Sequence, residues 1–230
     1  MKEDKLANKA DSHNPDKDQY DWNSYTVDEY EWQLSDMVDR LGLDLFVKNV
    51  FDTGTEIIFE DNLSETAKQI YHIVYKLKPN TVFEAGCGAG IHLLNIKNMF
   101  PEIDIDGADI SQSQMDIFAK KYNKTTIDQK DPFESIKNLK LKNLCDENGI
   151  EPLGKHDLVY TNAVAMHLSF DNVKKFLVNL GKLSSQHILL IENYEYHDFP
   201  KLIEECLPEF EMCNQLGGYT PSILLKRKEL

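Results

Sequence analysis

Apolar residues along this chain switch between a spacing of three to four and a spacing of two, and the switches mark out a series of helices and strands. From Ser64 the residues Ala67, Ile70, Tyr71, Val74 and Leu77 recur at helical spacing until Pro79-Asn80 stops them. Thr81-Val82-Phe83-Glu84-Ala85 reads as an apolar strand ending in an acid, and Leu93, Ile96 and Phe100 mark one face of the helix after it. Pro101 breaks that pattern, and residues 103–110 alternate as a second strand in which Asp109 is the terminal acid. Ser111 and Gln114 have capping-box spacing, and Met115, Phe118, Ala119 and Tyr122 continue as a helix. Leu139 to Cys145 alternates as a third strand, followed by Asp146. Asp157 to Asn162 is a fourth, and His187 to Glu192 a fifth with the near-continuous apolar run of a buried strand. Val173, Phe176, Leu177 and Leu180 mark the helix between these two, and Pro200 precedes a helix carrying Leu202, Ile203, Cys206 and Leu207. The end differs: Phe210 to Leu216 and Ser222 to Lys226 are two strands about Gly217-Gly218, which predicts an antiparallel hairpin.

Strands alternating with helices predict an α/β, doubly wound, mostly parallel sheet of seven strands closed by a C-terminal antiparallel hairpin. Ligands of such sheets bind beyond the carboxyl ends of the strands. That rule sets Glu84 to Gly90, Asp109, Asp146, Asn162 and Glu192 along one rim. Residues 1–19 are charged and polar with almost nothing to bury, and read as a disordered tail. Residues 20–63 open on the aromatics Tyr20, Trp22 and Tyr25 and lead into a helix. Thr26 and Glu29 cap it, and Val27, Tyr30, Leu34, Met37, Val38 and Leu41 repeat at its period. This segment is expected to be a helical lid that excludes water from a site, or a helix packed on the domain formed by residues 64–230.

Composition narrows the partners. The 230 residues carry a net charge of −14, from 39 acids against 25 bases. So acidic a chain argues against nucleic acid, whose binding rests on neutralising phosphates with Lys and Arg. No run approaches the roughly 20 apolar residues of a membrane span, and the N-terminus is charged rather than signal-like. Cys87, Cys145, Cys206 and Cys213 form no C-x-x-C pair, so reduced thiols and a cytoplasmic location are expected.

The chemistry lies in Glu84-Ala85-Gly86-Cys87-Gly88-Ala89-Gly90, a strand end running through three alternate glycines into a helix. Glycine lets a ligand approach the backbone, and a helix start offers unpaired N–H groups. The dinucleotide fingerprint G-x-G-x-x-G fits only in part, because Ile91 stands where its third glycine would be and Gly90 comes one residue early. The acid that this fingerprint sets roughly 20 residues on is present as Asp109, where a carboxylate can accept both hydroxyls of a ribose. No G-x-x-x-x-G-K-[ST] exists, which excludes a P-loop.

The run from Glu84 to Gly90 resembles motif I of class I S-adenosylmethionine-dependent methyltransferases, which have a Rossmann-like fold. The resemblance extends through Asp109-Ile110-Ser111, the fourth strand with His167 beyond it, and the terminal hairpin, roughly residues 64–228. It implies that Gly86, Cys87, Gly88 and Gly90 turn against the methionine and ribose parts of S-adenosylmethionine, with Glu84 supporting the turn or meeting the amino group through water. It implies that Asp109 binds the ribose hydroxyls, that Ile110 packs on the adenine, and that Asn162 closes the cofactor rim. The acid that meets the adenine amino group is assigned to Asp146, with Asp128 and Asp131 as competitors.

The same resemblance sets Thr161 to His167 beside the methyl donor, with His167 as candidate base or as a packing residue. Glu192, Asn193, Tyr194 and His197 follow the fifth strand and are expected to face an acceptor. The fourth strand ends in Thr161-Asn162, so only Glu192-Asn193 suits the strand-end carboxylates of a metal-dependent enzyme, and no metal is expected. Asp171-Asn172 reads as a helix start, and [DN]-P-P-[FY] is absent after the fourth strand. The expectation is methylation of a hydroxyl, ahead of an amine, on a small or medium polar acceptor such as a natural product or a surface-glycan sugar. A non-catalytic cofactor-binding module and an NAD-dependent oxidoreductase remain as alternatives.

Overall fold

A computed structural model of the chain describes residues 65–115, 139–146, 150–216 and 222–229. The expected tail (1–19), the expected lid (20–63), the expected helix through Phe118, Ala119 and Tyr122, Asp128, Asp131 and Gly217-Gly218 lie outside the described residues. In chain order the elements are α1 (Glu65–Leu77), β1 (Thr81–Ala85), α2 (Ile91–Met99), β2 (Asp104–Asp109) and β3 (Leu139–Leu141). They continue as β4 (His156–Asn162), α3 (Phe170–Leu183), β5 (Ser184–Ile191), α4 (Phe199–Cys206), β6 (Phe210–Leu216) and β7 (Ser222–Arg227).

The seven strands form one sheet in the order β3-β2-β1-β4-β5-β7-β6. All neighbours from β3 to β5 are parallel, and β7 lies antiparallel to both β5 and β6. The order reverses beside β1, which is the switch point where open α/β sheets hold ligands. Successive residues of β1, β2, β4 and β5 bury on opposite faces. Val82, Ile105, Leu158, Tyr160, Leu189 and Ile191 pack with α1 and α2, whereas Phe83, Ala108, Val159, Ile188 and Leu190 pack with α3 and α4. This is the two-sided burial that parallel strands require.

Three elements depart from the pattern reading, each for a local reason. The third strand stops at Leu141 instead of running to Cys145. The Asn143 side chain accepts from the Cys145 amide at 2.9 Å, and Asn179 of α3 donates to the carbonyls of Leu144 and Asp146, both at 2.8 Å. These bonds turn the segment toward α3. Helix α2 is buried on nearly every side, with Ile91, Leu93, Leu94, Asn95, Ile96 and Met99 all inaccessible, rather than on one apolar face. Pro200 sits within the first turn of α4 instead of before it, where its missing N–H costs nothing, and Asp198 caps that helix by accepting from the Lys201 amide. The C-terminal hairpin is locked by Arg227, whose guanidinium lies 4.3 Å over the Phe210 ring and donates to the carbonyls of Gly181 and Ser184. Among the described residues no helix is long and apolar enough to cross a membrane, and all four cysteines are free thiols.

Candidate active site

The site grows from the end of β1. Gly86, Gly88 and Gly90 all have positive φ, at 77°, 52° and 71°, a backbone region that costs glycine nothing. The amides of Gly86 and Cys87 both donate to the carbonyl of Ala108, at 2.8 and 3.1 Å, which ties the turn to the end of β2. Gly86 has a second reason to lack a side chain: a Cβ there would lie 2.3 Å from Cγ2 of Val164, in the segment after β4. Gly90 is the N-cap of α2, and no side chain caps that helix start.

Asp109 joins the turn to the second strand. One carboxylate oxygen accepts from the Gly88 amide at 2.8 Å and the other from the Ser111 amide at 2.7 Å. Burial pushes its pKa up, while those backbone donors pull it back. The Ile110 amide also acts on this carboxylate, so about one of its roughly four lone-pair sites is left for a ligand hydroxyl. Ile110, next along, is 51% exposed. The Ser111 cap is present, with the Gln114 amide 3.4 Å from its hydroxyl. Asp146 is exposed at the same rim, where Asn143 donates to its carboxylate at 3.3 Å.

Glu84 does not open onto the rim. It is buried beneath the turn, against the phenol of Tyr160, whose pKa is raised by burial first and by the Glu84 charge second. Cys87 is also buried, and burial together with Glu84 and Asp109 holds it as a thiol, so its part in the turn is its backbone.

Asn162 ends β4 with its side-chain amide 3.4 Å from Nε2 of His92, and Nδ1 of His92 is 2.9 Å from the Tyr71 hydroxyl. That hydroxyl also accepts from Asn95 at 2.9 Å. Tyr71, His92 and Asn95 were not among the expected site residues. The available signal was His92 and Asn95 set among Ile91, Leu93, Leu94 and Ile96 in the first turns of the helix directly after the glycine turn. Burial lowers the His92 pKa to about 4, so the ring is neutral near pH 7.

Beyond Asn162 the chain turns sharply. Ala163 has φ of 55°, and Ala165–His167 form one turn of 3₁₀ helix that leaves the His167 side chain half-buried at the rim. Glu192 departs from expectation. It is fully buried, accepting from Thr161 Oγ1 at 3.1 Å, the Val164 amide at 3.2 Å and the Met166 amide at 3.0 Å, so it faces this loop rather than an acceptor. His197 is likewise buried, with Nε2 2.9 Å from the Leu168 carbonyl, and Tyr194 packs its ring on Phe199. Asn193 is half-buried and closes a local turn by accepting from the Glu195 amide. Among the described residues no three or more of His, Cys, Asp and Glu are gathered to hold a metal ion.

Residues 83–186 match the family model of the methyltransferase domain. That match takes in under half of the chain, and the sheet around it has the fold of the class I methyltransferases. An uncharacterized protein of Rickettsia prowazekii is 30% identical over 118 residues, which is 51% of this chain and 44% of that protein. The chain thus spans less than half the length of this curated relative. Among solved structures, the magnesium protoporphyrin IX methyltransferase of Synechocystis PCC 6803 with bound SAH has a TM-score of 0.56 at 16% identity, covering 71% of this chain and 83% of that one. An O-methyltransferase family protein of Burkholderia thailandensis has a TM-score of 0.55 at 14% identity, covering 71% and 57%. The methyltransferase domain of a bacterial Hen1 has a TM-score of 0.58 at 16% identity, covering 72% and 98%. At such identities the likeness speaks for the fold of the domain and leaves its acceptor open.

Proposed function

We propose that this domain binds S-adenosylmethionine and transfers its methyl group to a hydroxyl of a small or medium polar acceptor, such as a natural product or a surface-glycan sugar, without a metal. The observation that carries the reading is Asp109, which holds the glycine turn through Gly88 while keeping acceptor capacity at the rim. The cofactor supplies a methyl group on a positively charged sulfur, an already activated donor. The backbone of Gly86, Cys87, Gly88 and Gly90 would lie against its methionine and ribose parts, with Glu84 supporting that turn from below. Asp109 would take the ribose hydroxyls, the exposed Ile110 side chain the adenine ring, and Asp146 the adenine amino group. Asn162, steadied by His92, would close the methionine end.

The chain's own task is then to position an acceptor and remove its proton. His167 is the candidate base, because a neutral imidazole at the rim can accept a hydroxyl proton near pH 7. Asn193 would border the acceptor from the segment after β5. Supporting the reading are the family match over residues 83–186 and the SAM- and SAH-bound forms of the protoporphyrin methyltransferase that shares the fold.

Calorimetric titration with S-adenosylmethionine, S-adenosylhomocysteine and NAD tests the cofactor. Binding of the two sulfur ligands without NAD is expected, and no binding of either would sink the proposal. Once an acceptor is in hand, His167→Ala should lower turnover about 100-fold or more with S-adenosylhomocysteine affinity nearly unchanged. Turnover close to wild type would return His167 to a packing role.

A further inference from the structure

Glu192 is a fully buried carboxylate just past the end of β5. A fully buried carboxylate has no water to solvate it, and isolated burial of that kind is costly unless donors surround the charge. Donors do surround it, and they come from one place. Thr161 Oγ1 belongs to the end of β4, and the Val164 and Met166 amides belong to the loop after it, with the Ala165 amide also turned inward. Consecutive backbone amides of one loop therefore converge on a single side chain from a neighbouring strand. The loop needs such an anchor, because Ala163 begins it in a left-handed conformation, with φ of 55°, that is strained for a residue with a Cβ. What the anchor holds matters for the site. Val164 is the residue that fills the space above Gly86, and His167 follows one turn later.

We infer that Glu192 is a positioning residue, whose carboxylate fixes the loop of residues 163–167 against the glycine turn and so sets both the backing of the cofactor turn and the place of His167. This inference rests on the proposed function for what the loop serves, but the bracing itself is a property of the ligand-free protein.

The arrangement has a pH signature. Burial raises Glu192 to about 7, and every influence opposing burial is a hydrogen-bond donor of the loop or of Thr161. Protonation would turn one acceptor oxygen into a donor facing donors, so the ionised form is the one that holds the loop. The titratable groups facing this region are Tyr194, itself raised by burial and by Glu192, the half-buried His167, and His197, bonded to the Leu168 carbonyl. Tyr194 does not titrate near neutrality, which leaves the two histidines as rivals for any inflection there.

The test uses the full chain and two readouts. In the ligand-free protein, Glu192→Gln should speed amide exchange of Val164 and Met166 about tenfold or more while the β1 and β5 amides stay protected. Unchanged exchange at those amides would overturn the inference. In calorimetry, wild-type affinity for S-adenosylhomocysteine should tighten about fivefold or more between roughly pH 6 and pH 8, with proton release on binding, and Glu192→Gln should be flat over that range. An inflection that survives Glu192→Gln belongs to His167 or His197 and also overturns it. Should that variant fail to fold, Thr161→Val removes one donor and should move the wild-type inflection to higher pH; an unmoved inflection counts against the anchor. Wild-type protein that ignores S-adenosylhomocysteine at every pH would instead defeat the proposed function, with amide exchange still deciding the role of Glu192.

Discussion

At the scale of single residues, His92 shows how neighbours choose a protonation state. A neutral imidazole has one donor and one acceptor nitrogen, and a charged one has two donors. The Asn162 Nδ2 donates to Nε2 and the Tyr71 hydroxyl can accept from Nδ1–H, so the neutral ring is satisfied, and burial does the rest. Its folded pKa, about 4, lies below the usual 6.5. The stability this brings is therefore present above pH 6.5 and is lost as pH falls from there toward 4. The ring resonances of His92 should stay still in an NMR titration from pH 8 down to about pH 5, below the ordinary histidine range. Movement centred near 6.5 would mean that the Tyr71–His92–Asn162 chain is open to water. Tyr71 and His92 also show where reading by pattern stops. Tyr71 fits the apolar face of α1 as well as any core aromatic, and no spacing rule says that its hydroxyl reaches a helix about 20 residues away.

At the scale of elements, the glycine turn was legible because its constraints are local. Three positive φ values on alternate residues need three glycines, and the sequence has them. The partner of the turn was not legible, because Val164 lies far along the chain and meets Gly86 only through the pairing of β1 with β4. Gly86→Ala therefore faces two penalties. The left-handed backbone costs about 1–3 kcal/mol, and overlap with Val164 adds typically 1–3 kcal/mol unless the loop moves. Urea unfolding should show the sum as a lower midpoint with little change in slope. A variant as stable as wild type would mean that the loop after β4 gives way freely. Glu192 was misplaced for the same reason as Val164. Its strand end was read correctly, but the side its carboxylate faces depends on where a neighbouring loop sends its amides.

At the scale of the whole molecule, the alternation of strands with helices made the mostly parallel seven-stranded sheet and its closing hairpin legible, whereas the strand order comes from the structure alone. Net charge belongs to no element, and its consequence appears only here. The described ion pairs are few and mostly exposed, such as Lys174–Glu205 at 2.8 Å, Lys226–Glu229 at 3.5 Å and Arg227–Glu209 at 3.8 Å. Exposed pairs of that kind contribute little, because solvent screens them and ordering two long side chains costs entropy, so added salt removes little. A net charge of −14, by contrast, means that acids repel one another across the surface of the compact state, and salt relieves that repulsion. Raising sodium chloride from about 0.02 M to about 0.3 M shortens the screening length from roughly 20 Å to about 6 Å, below the spacing of many surface charges. The urea midpoint should rise over this range. A fall would require that local attraction outweighs the acidic excess, and would direct attention to ion pairs beyond those between the described residues.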